Sequence, residues 1–198
     1  MAETFALEPR SAFAGLLGDI GPEQSAGVTL SERAAAQAAT VIARARVADI
    51  AARLRAARGL ELREGAKRSA AGDLAFVGIG PRAWLAVSAR QTLVEDLRRD
   101  LGEAAAVSDQ SSGYAILRLS GPKLRAALEK GVGVDLHPRA FAPDDAAITG
   151  CAHFGVILWQ IDAAPTFEIA VARSFAPDFC HWLLASAAEF GVKIRPPG

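Results

Sequence analysis

Short apolar runs, each closed by a turn rich in glycine, proline or serine, recur along this sequence. Leu74–Ile79 and Ala83–Ser88 flank Gly80-Pro81-Arg82, while Ala104–Asp109 and Tyr114–Leu119 flank Gln110-Ser111-Ser112-Gly113. Runs of this length suit strands, and turns this tight join antiparallel neighbours, because parallel strands need a crossover of a dozen or more residues. Further strands are expected near 36–44, where Thr40-Val41-Ile42 is β-branched, and near 146–153, 155–162 and 166–172. In the last, Phe167, Ile169 and Val171 alternate with Thr166, Glu168 and Ala170, the pattern of a half-buried strand.

Helical spacing appears between these runs. Val47, Ile50, Ala51 and Leu54 recur at i, i+3, i+4 and i+7 and predict a helix over 46–58, ended by Gly59. Leu93, Val94, Leu97 and Leu101 mark a second, with Gly102 at the position after the helix where glycine sits easily in the left-handed region. Pro122 opens a third, in the first turn where its missing N–H costs nothing, with Leu124 and Leu128 facing inward and Gly131 as the stop. Phe179, Trp182, Leu183, Ala187 and Phe190 line a terminal helix that Gly191 ends. Residues 60–72 show no clear period. The first 35 residues contain Gly15, Gly18, Gly21, Pro22 and Gly27 and read as an irregular arm with at most a short helix near Ser11–Leu17. The expected fold is α+β: an arm over 1–35, then two packed antiparallel sheet-plus-helix subdomains over 36–103 and 104–198.

Charge narrows the function classes. Lys plus Arg and Asp plus Glu both number 22, and this zero net charge speaks against nucleic acid, whose binders rely on a basic surplus to neutralise phosphate. The N-terminus carries acids where a secretory signal carries Lys or Arg, and no apolar stretch follows. Phe154–Trp159, the longest strongly apolar run, is far short of the roughly 20 residues that cross a bilayer. Cys151 and Cys180 are the two cysteines, too few for a disulfide framework. A soluble cytoplasmic protein with reduced thiols, in contact with neither membrane nor nucleic acid, is the expectation.

Candidate chemistry is sparse. Cys151 with His153, on one face of an expected strand, and Cys180 with His181 supply zinc-ligand types, but the spacings C-x2–4-C and H-x3–5-H are missing and no metal site is expected. Asp135 and His137 form the tightest acid–imidazole pair: on extended backbone they share a side and could hydrogen-bond, or Asp135 could simply cap a turn ahead of Pro138. Gly78-Ile79-Gly80 is interrupted by Pro81 and followed by a strand, so it is no dinucleotide fingerprint. Gly131-Val132-Gly133 closes a helix and presents the wrong polarity to an anion. Arg53, Arg55, Arg58, Arg98 and Arg99 read as solvated helix faces, and Trp84, Trp159 and Trp182 as core.

Two stretches carry a family resemblance. Val107-Ser108-Asp109-Gln110-Ser111 through Ile116-Leu117-Arg118-Leu119-Ser120-Gly121-Pro122 resembles the D-x-S … I-x-L-x-G-P run of the glycine-cleavage T-protein (aminomethyltransferase) superfamily. Together with Val134-Asp135-Leu136-His137-Pro138-Arg139-Ala140-Phe141, the more specific run, it resembles the gamma subunits of heterotetrameric sarcosine oxidases. Gly80-Pro81-Arg82-Ala83-Trp84-Leu85, Arg173-Ser174-Phe175-Ala176 and Trp182-Leu183-Leu184 to Phe190-Gly191 extend the likeness over residues 36–191.

The resemblance implies a T-protein/TrmE-type folate-binding fold and a non-catalytic gamma subunit in an αβγδ oxidase. Such an oxidase demethylates sarcosine to glycine, passes the one-carbon unit to tetrahydrofolate and reduces oxygen. It further implies no cofactor in this chain, with FAD, FMN, NAD, tetrahydrofolate and zinc belonging to the alpha, beta and delta partners. The arm and part of the 134–145 loop would contact those partners. In aminomethyltransferases an aspartate after the G-P helix stands beside the folate amine, and Asp135 is the matching position, though His-Pro-Arg follows it and the third domain of that family is missing. No catalytic residue is assigned, and Asp135 is the one candidate. The alternatives are the equivalent subunit of a related N-methyl amino acid oxidoreductase, of N-methylglutamate dehydrogenase type, and a free-standing folate-binding transferase in which Asp135 orients the cofactor amine.

Overall fold

A computed structural model describes residues 10–17, 26–33 and 35–195. Eleven strands and four α-helices appear among them, in two sheets. The larger sheet holds six strands in the order β11 (Val192–Ile194), β1 (Val28–Glu32), β7 (Tyr114–Ser120), β10 (Thr166–Ala172), β9 (Phe154–Asp162) and β8 (Ala146–Cys151). The smaller holds five, in the order β3 (Arg68–Ala71), β4 (Leu74–Gly80), β5 (Ala83–Ser88), β2 (Gln37–Ala43) and β6 (Ala105–Asp109). Every named pairing is antiparallel except β1 with β11, which is parallel.

Strand alternation builds four layers. Odd positions of β10 (Phe167, Ile169, Val171) face α3 (Leu124–Leu128) and α4 (Ala176–Ala187), where Leu128, Phe179 and Leu183 are buried against them. In the smaller sheet Val41, Phe76, Trp84 and Ala86 face α1 (Val47–Arg58) and α2 (Leu93–Leu101), meeting Ile50, Leu54 and Leu97. The opposite faces meet each other: Val77, Leu85 and Val87 of the smaller sheet pack on Ile116, Ile157, Trp159 and Ala170 of the larger. The order is therefore helices, sheet, sheet, helices, an α+β arrangement with helices on one face of each sheet.

The division between the sheets differs from the boundary expected at 103. Strand β6 lies beyond that point yet pairs with β2 in the smaller sheet, from Ala39↔Asp109 to Ala43↔Ala105. The arm is also less irregular than its glycines suggest. Val28-Thr29-Leu30-Ser31-Glu32 forms β1, with Val28 and Leu30 fully buried, and it pairs with both β7 and β11. Turns replace the short helix expected at Ser11–Leu17; Phe13 is buried there and Ser11 Oγ donates to Glu32 at 2.5 Å. Residues 60–72, aperiodic in sequence, yield β3 and a corner where Lys67 bridges to Asp145, so the sheets are joined by backbone as well as by packing.

Two backbone positions fix how closely the elements approach. Gly121 has φ +123°, and a Cβ there would strike the carbonyl of Gly27, which already accepts the N–H of Lys123 at 3.0 Å. Ala152 has φ +52° in the two-residue Ala152-His153 turn between Cys151 and Phe154, where the favoured hairpin turns call for glycine. Substitutions at these sites act in opposite directions. Gly121→Ala costs more than about 2 kcal/mol, through left-handed strain and the backbone clash, whereas Ala152→Gly stabilises by up to about 1 kcal/mol. Urea unfolding midpoints of the two variants, one lowered and one raised, check the pair.

Candidate functional site

The acid–imidazole pair forms no proton relay. The loop after α3 is pinned by Leu136, fully buried, and Phe141, whose ring stacks on Phe167 at 6.0 Å. Between these anchors Asp135 Oδ1 accepts the backbone N–H of His137 at 2.8 Å, and His137 Nδ1 accepts the N–H of Arg139 at 3.2 Å. The His137 carbonyl in turn accepts from Ala140 and Phe141 at 2.8 and 2.9 Å. Asp135 thus caps its own turn, and both side chains are exposed.

The two Cys–His pairs also separate. Cys151 is buried in the core of the larger sheet, while His153 stands exposed in the turn beyond the strand that had been expected to hold both. Cys180 is buried on α4 and the neighbouring His181 is exposed. Burial pushes the two thiols up, Cys151 to about 12 and Cys180 to about 11, so both stay protonated and unreactive at neutral pH. Among the described residues no three His, Cys, Asp or Glu side chains gather as metal ligands. Gly78-Ile79-Gly80 ends β4, and Gly131–Gly133 runs along the edge of β8, with Gly133 N donating to Gly150 O at 2.9 Å.

The densest polar constellation lies between the sheets, around Glu168. Strand β10 turns this carboxylate, 2% exposed, toward the smaller sheet. On one side Arg118, directly opposite in register on β7, donates from Nε at 2.9 Å and from a terminal nitrogen at 2.7 Å. On the other, Trp159, opposite on β9, donates its Nε1–H at 3.0 Å. Arg33, just past β1, donates to Glu168 at 3.3 Å and reaches Asp73 in the β3–β4 turn of the other sheet at 3.2 Å. Burial acting alone would raise the Asp73 carboxyl; hydrogen bonds from Ser88 Oγ and the Ala89 N–H, with the charges of Arg33 and Arg90, outweigh it and hold the pKa below the usual value.

A cleft of about 250 Å³ opens beside this cluster, lined among others by Ser31, Arg33, Asp73 and Arg118. Both oxygens of Glu168 are engaged by N–H donors, so the cluster binds the two layers together and offers no free base. The sequence signals for it were weak: Glu168 reads as the polar member of an alternating strand, and Trp159 as core. A second ion-paired knot corrects one helix face. Arg58, expected in solvent, is 19% exposed and pairs with Asp100 at 2.5 Å and Asp96 at 3.4 Å, joining α1 to α2.

Against this geometry the comparisons are specific. A model of the family described as "Sarcosine oxidase, gamma subunit family" matches residues 43–189, about three quarters of the chain. The chain belongs to the sarcosine oxidase gamma subunit family. Sarcosine oxidase subunit gamma of Corynebacterium sp. (strain U-96) is 34% identical over 127 residues, 62% of each protein. That of Arthrobacter sp is 33% identical over 134 residues, 67% of this chain and 66% of the relative. These alignments span a little under two thirds of the relatives' length. Among solved structures, a chain of the heterotetrameric sarcosine oxidase from Corynebacterium sp. U-96 superposes with TM-score 0.77 and 28% identity, over 91% of this chain and 95% of that one. The glycine cleavage system aminomethyltransferase T from Bartonella henselae superposes with TM-score 0.61 and 15% identity, over 88% of this chain and 48% of that one, a likeness of fold.

Two expectations follow from the interlayer cluster. Glu168→Ala leaves Arg118 and the Trp159 N–H without their acceptor, while Arg33 keeps Asp73, and costs about 1–3 kcal/mol, read as a lowered denaturation midpoint. For Asp73 the depressed folded pKa means its contribution to stability is full above the unfolded carboxylate value, about 3.9, and is lost as pH falls through the lower folded value. Asp73→Asn therefore flattens the acid limb of a stability-against-pH curve and leaves its slope at neutral pH unchanged.

Proposed function

We propose that the chain is the non-catalytic gamma subunit of a cytoplasmic, heterotetrameric oxidase that demethylates sarcosine to glycine. The one-carbon unit passes to tetrahydrofolate. FAD, FMN, NAD, tetrahydrofolate and zinc sit in the alpha, beta and delta chains, and this chain contributes structure. The observation that carries this reading is the superposition, over nearly the whole of both chains, on a chain from a heterotetrameric sarcosine oxidase. The geometry supports a structural role: Asp135 is spent on its own turn, Glu168 is spent on the interlayer clasp, and both thiols are buried and protonated. Among the described residues no helix is long and apolar enough to cross a membrane.

The rigid knuckle over 134–141, exposed at Asp135, His137, Pro138 and Arg139 but locked by Leu136 and Phe141, suits a contact made without ordering cost. Purification of the tagged chain from its host, with an absorbance scan and mass identification, tests the whole reading. The expected eluate is yellow and contains large flavoprotein chains that oxidise sarcosine in preference to N-methylglutamate. A colourless, solitary chain from cells degrading sarcosine overturns it, and folate binding by that lone chain would favour the transferase instead.

A further inference from the structure

The clasp around Glu168 is the middle of a longer chain of charges whose two ends stand open. From the smaller sheet to the larger the order is Asp73, Arg33, Glu168, Arg118, alternately negative and positive. Arg33 lies 3.2 Å from Asp73 and 3.3 Å from Glu168, and Arg118 lies 2.7 Å from Glu168. The inner pair is enclosed, Arg33 at 13% exposure and Glu168 at 2%. The outer pair is not: the Asp73 side chain is 49% exposed and that of Arg118 48%. No ion pair joins these two ends to each other, although both line the same cleft of about 250 Å³. One wall of the cleft thus carries an accessible carboxylate, in the β3–β4 turn, and the other an accessible guanidinium, on β7.

Neither end has used up its bonding capacity. Arg118 turns Nε and one terminal nitrogen to Glu168, which leaves the other terminal nitrogen uncommitted. Directly across the β1–β7 ladder from it, Ser31 carries a hydroxyl with no hydrogen-bond partner among the described residues, and Ser31 too lines the cleft. Asp73 Oδ2 accepts from the Ser88 hydroxyl and the Ala89 N–H, while Oδ1 accepts from Arg33 alone and has room for a second donor. Arg90 acts on Asp73 through its charge, without an ion pair. Glu32, 5% exposed and bonded to the Ser11 hydroxyl, is the other acid of the lining, so Glu32 and Asp73 stand against Arg33 and Arg118. A simple anion would meet the two acids and a simple cation the two guanidinium groups. The lining is complementary to a ligand that carries both signs.

We infer that this cleft binds a small zwitterion of the amino-acid class, with its ammonium on Asp73 and its carboxylate on Arg118 and the Ser31 hydroxyl. Bound in this way, the ligand joins the two ends of the chain and closes the alternating charges into a ring, in which every group has an opposite neighbour on both sides. The hydrogen bonds at both ends are charge-assisted, the stronger kind. The inference concerns binding and adds no chemical step. It rests on this chain's own residues, whether or not the chain works as a subunit.

Calorimetric titration of the full chain tests it. The probes are glycine, β-alanine and γ-aminobutyrate, which set the two charges progressively further apart, with acetate and methylammonium as the separate halves. At least one of the zwitterions binds with a dissociation constant on the order of 1 mM or tighter, and about tenfold tighter than either half. Ser31→Ala, which leaves the clasp intact, weakens that binding about 5-fold. Asp73→Asn removes the charge, keeps an acceptor for Arg33, and brings the affinity down to that of acetate. Should Asp73→Asn melt early, Ser31→Ala decides. Where the chain purifies with other subunits, the titration is done on that assembly, and the difference between wild type and variants isolates this site. Undiminished binding by the folded variants overturns the inference, because the ligand then sits elsewhere. Equal affinity for a zwitterion and one of its halves overturns it in favour of a site for a single charge. The absence of binding by all the zwitterions overturns it outright.

Discussion

A carboxylate buried between two sheets cannot stay ionised without partners, and the place where this chain puts one determines much of the remaining structure. Glu168 faces the smaller sheet because position 168 alternates with Phe167 and Ile169, which belong to the helix side. Its partners stand on the same rung: Arg118 across β7, Trp159 across β9. The rung continues to Ser31 on β1 and Ala146 on β8. A slip of one residue between β7 and β10 would turn one of the charges into the helix layer, among Leu117, Ile169 and Phe179, without its counter-ion. The pair thus fixes register where an all-apolar rung would tolerate sliding. Arg33 extends the same constraint across the layers, since its second ion pair lies on the other sheet.

The motifs that carry the family likeness turn out to be backbone devices. Asp109 accepts the N–H of Ser111 at 2.8 Å, and the Ser111 hydroxyl lies in hydrogen-bond contact with both the N–H and the carbonyl of Ala38, so the D-x-S run closes a turn and ties it to β2. In the G-P run Gly121 permits the approach to Gly27 that brings α3 over β1. In the Gly80–Leu85 run Arg82 gathers three carbonyls and Trp84 Nε1 donates to the Arg63 carbonyl at 3.0 Å, which holds the 60–72 corner. Asp135 caps a knuckle. The residues that carry the family match are thus largely engaged in turns and in close approaches of the backbone.

What the sequence disclosed, it disclosed through period. The β4–β5 hairpin, the two-fold alternation of β10 and the apolar stripes of α1, α2 and α4 all depend on neighbours in the chain, and each was legible; the Gln110–Gly113 turn, expected to join antiparallel neighbours, instead carries the chain from β6 in one sheet to β7 in the other. The misses depend on partners distant in sequence. Val28-Thr29-Leu30 alternates properly, but the glycines around it outweighed three residues of pattern, and only β7 and β11 make it a strand. Val192–Ile194 is too short to announce itself. Strand β6 looked like the start of the second unit because it follows α2 directly, yet its partner is β2, more than sixty residues earlier. The Glu168 clasp draws on β1, β7, β9, β10 and the β3–β4 turn, five places that no local window joins. For Arg58 the helical stripe suggested solvent; the acids that bury it lie on another helix.

The interlayer core is filled around Trp159 and leaves apolar side chains exposed at the opposite end. Its members include small residues, Ala38, Ala146 and Ala170, set around the single large Trp159. Small side chains let the sheets approach closely near Trp159, where the indole and the ion pairs fill what remains. At the far end Ile42 on β2 and Ile148 on β8 are about half exposed. Larger residues at Ile42 and Ile148 could have narrowed the gap, and polar ones could have suited it to water. The chain has neither: it completes every charge it buries in the clasp and leaves apolar surface uncovered at the opposite edge.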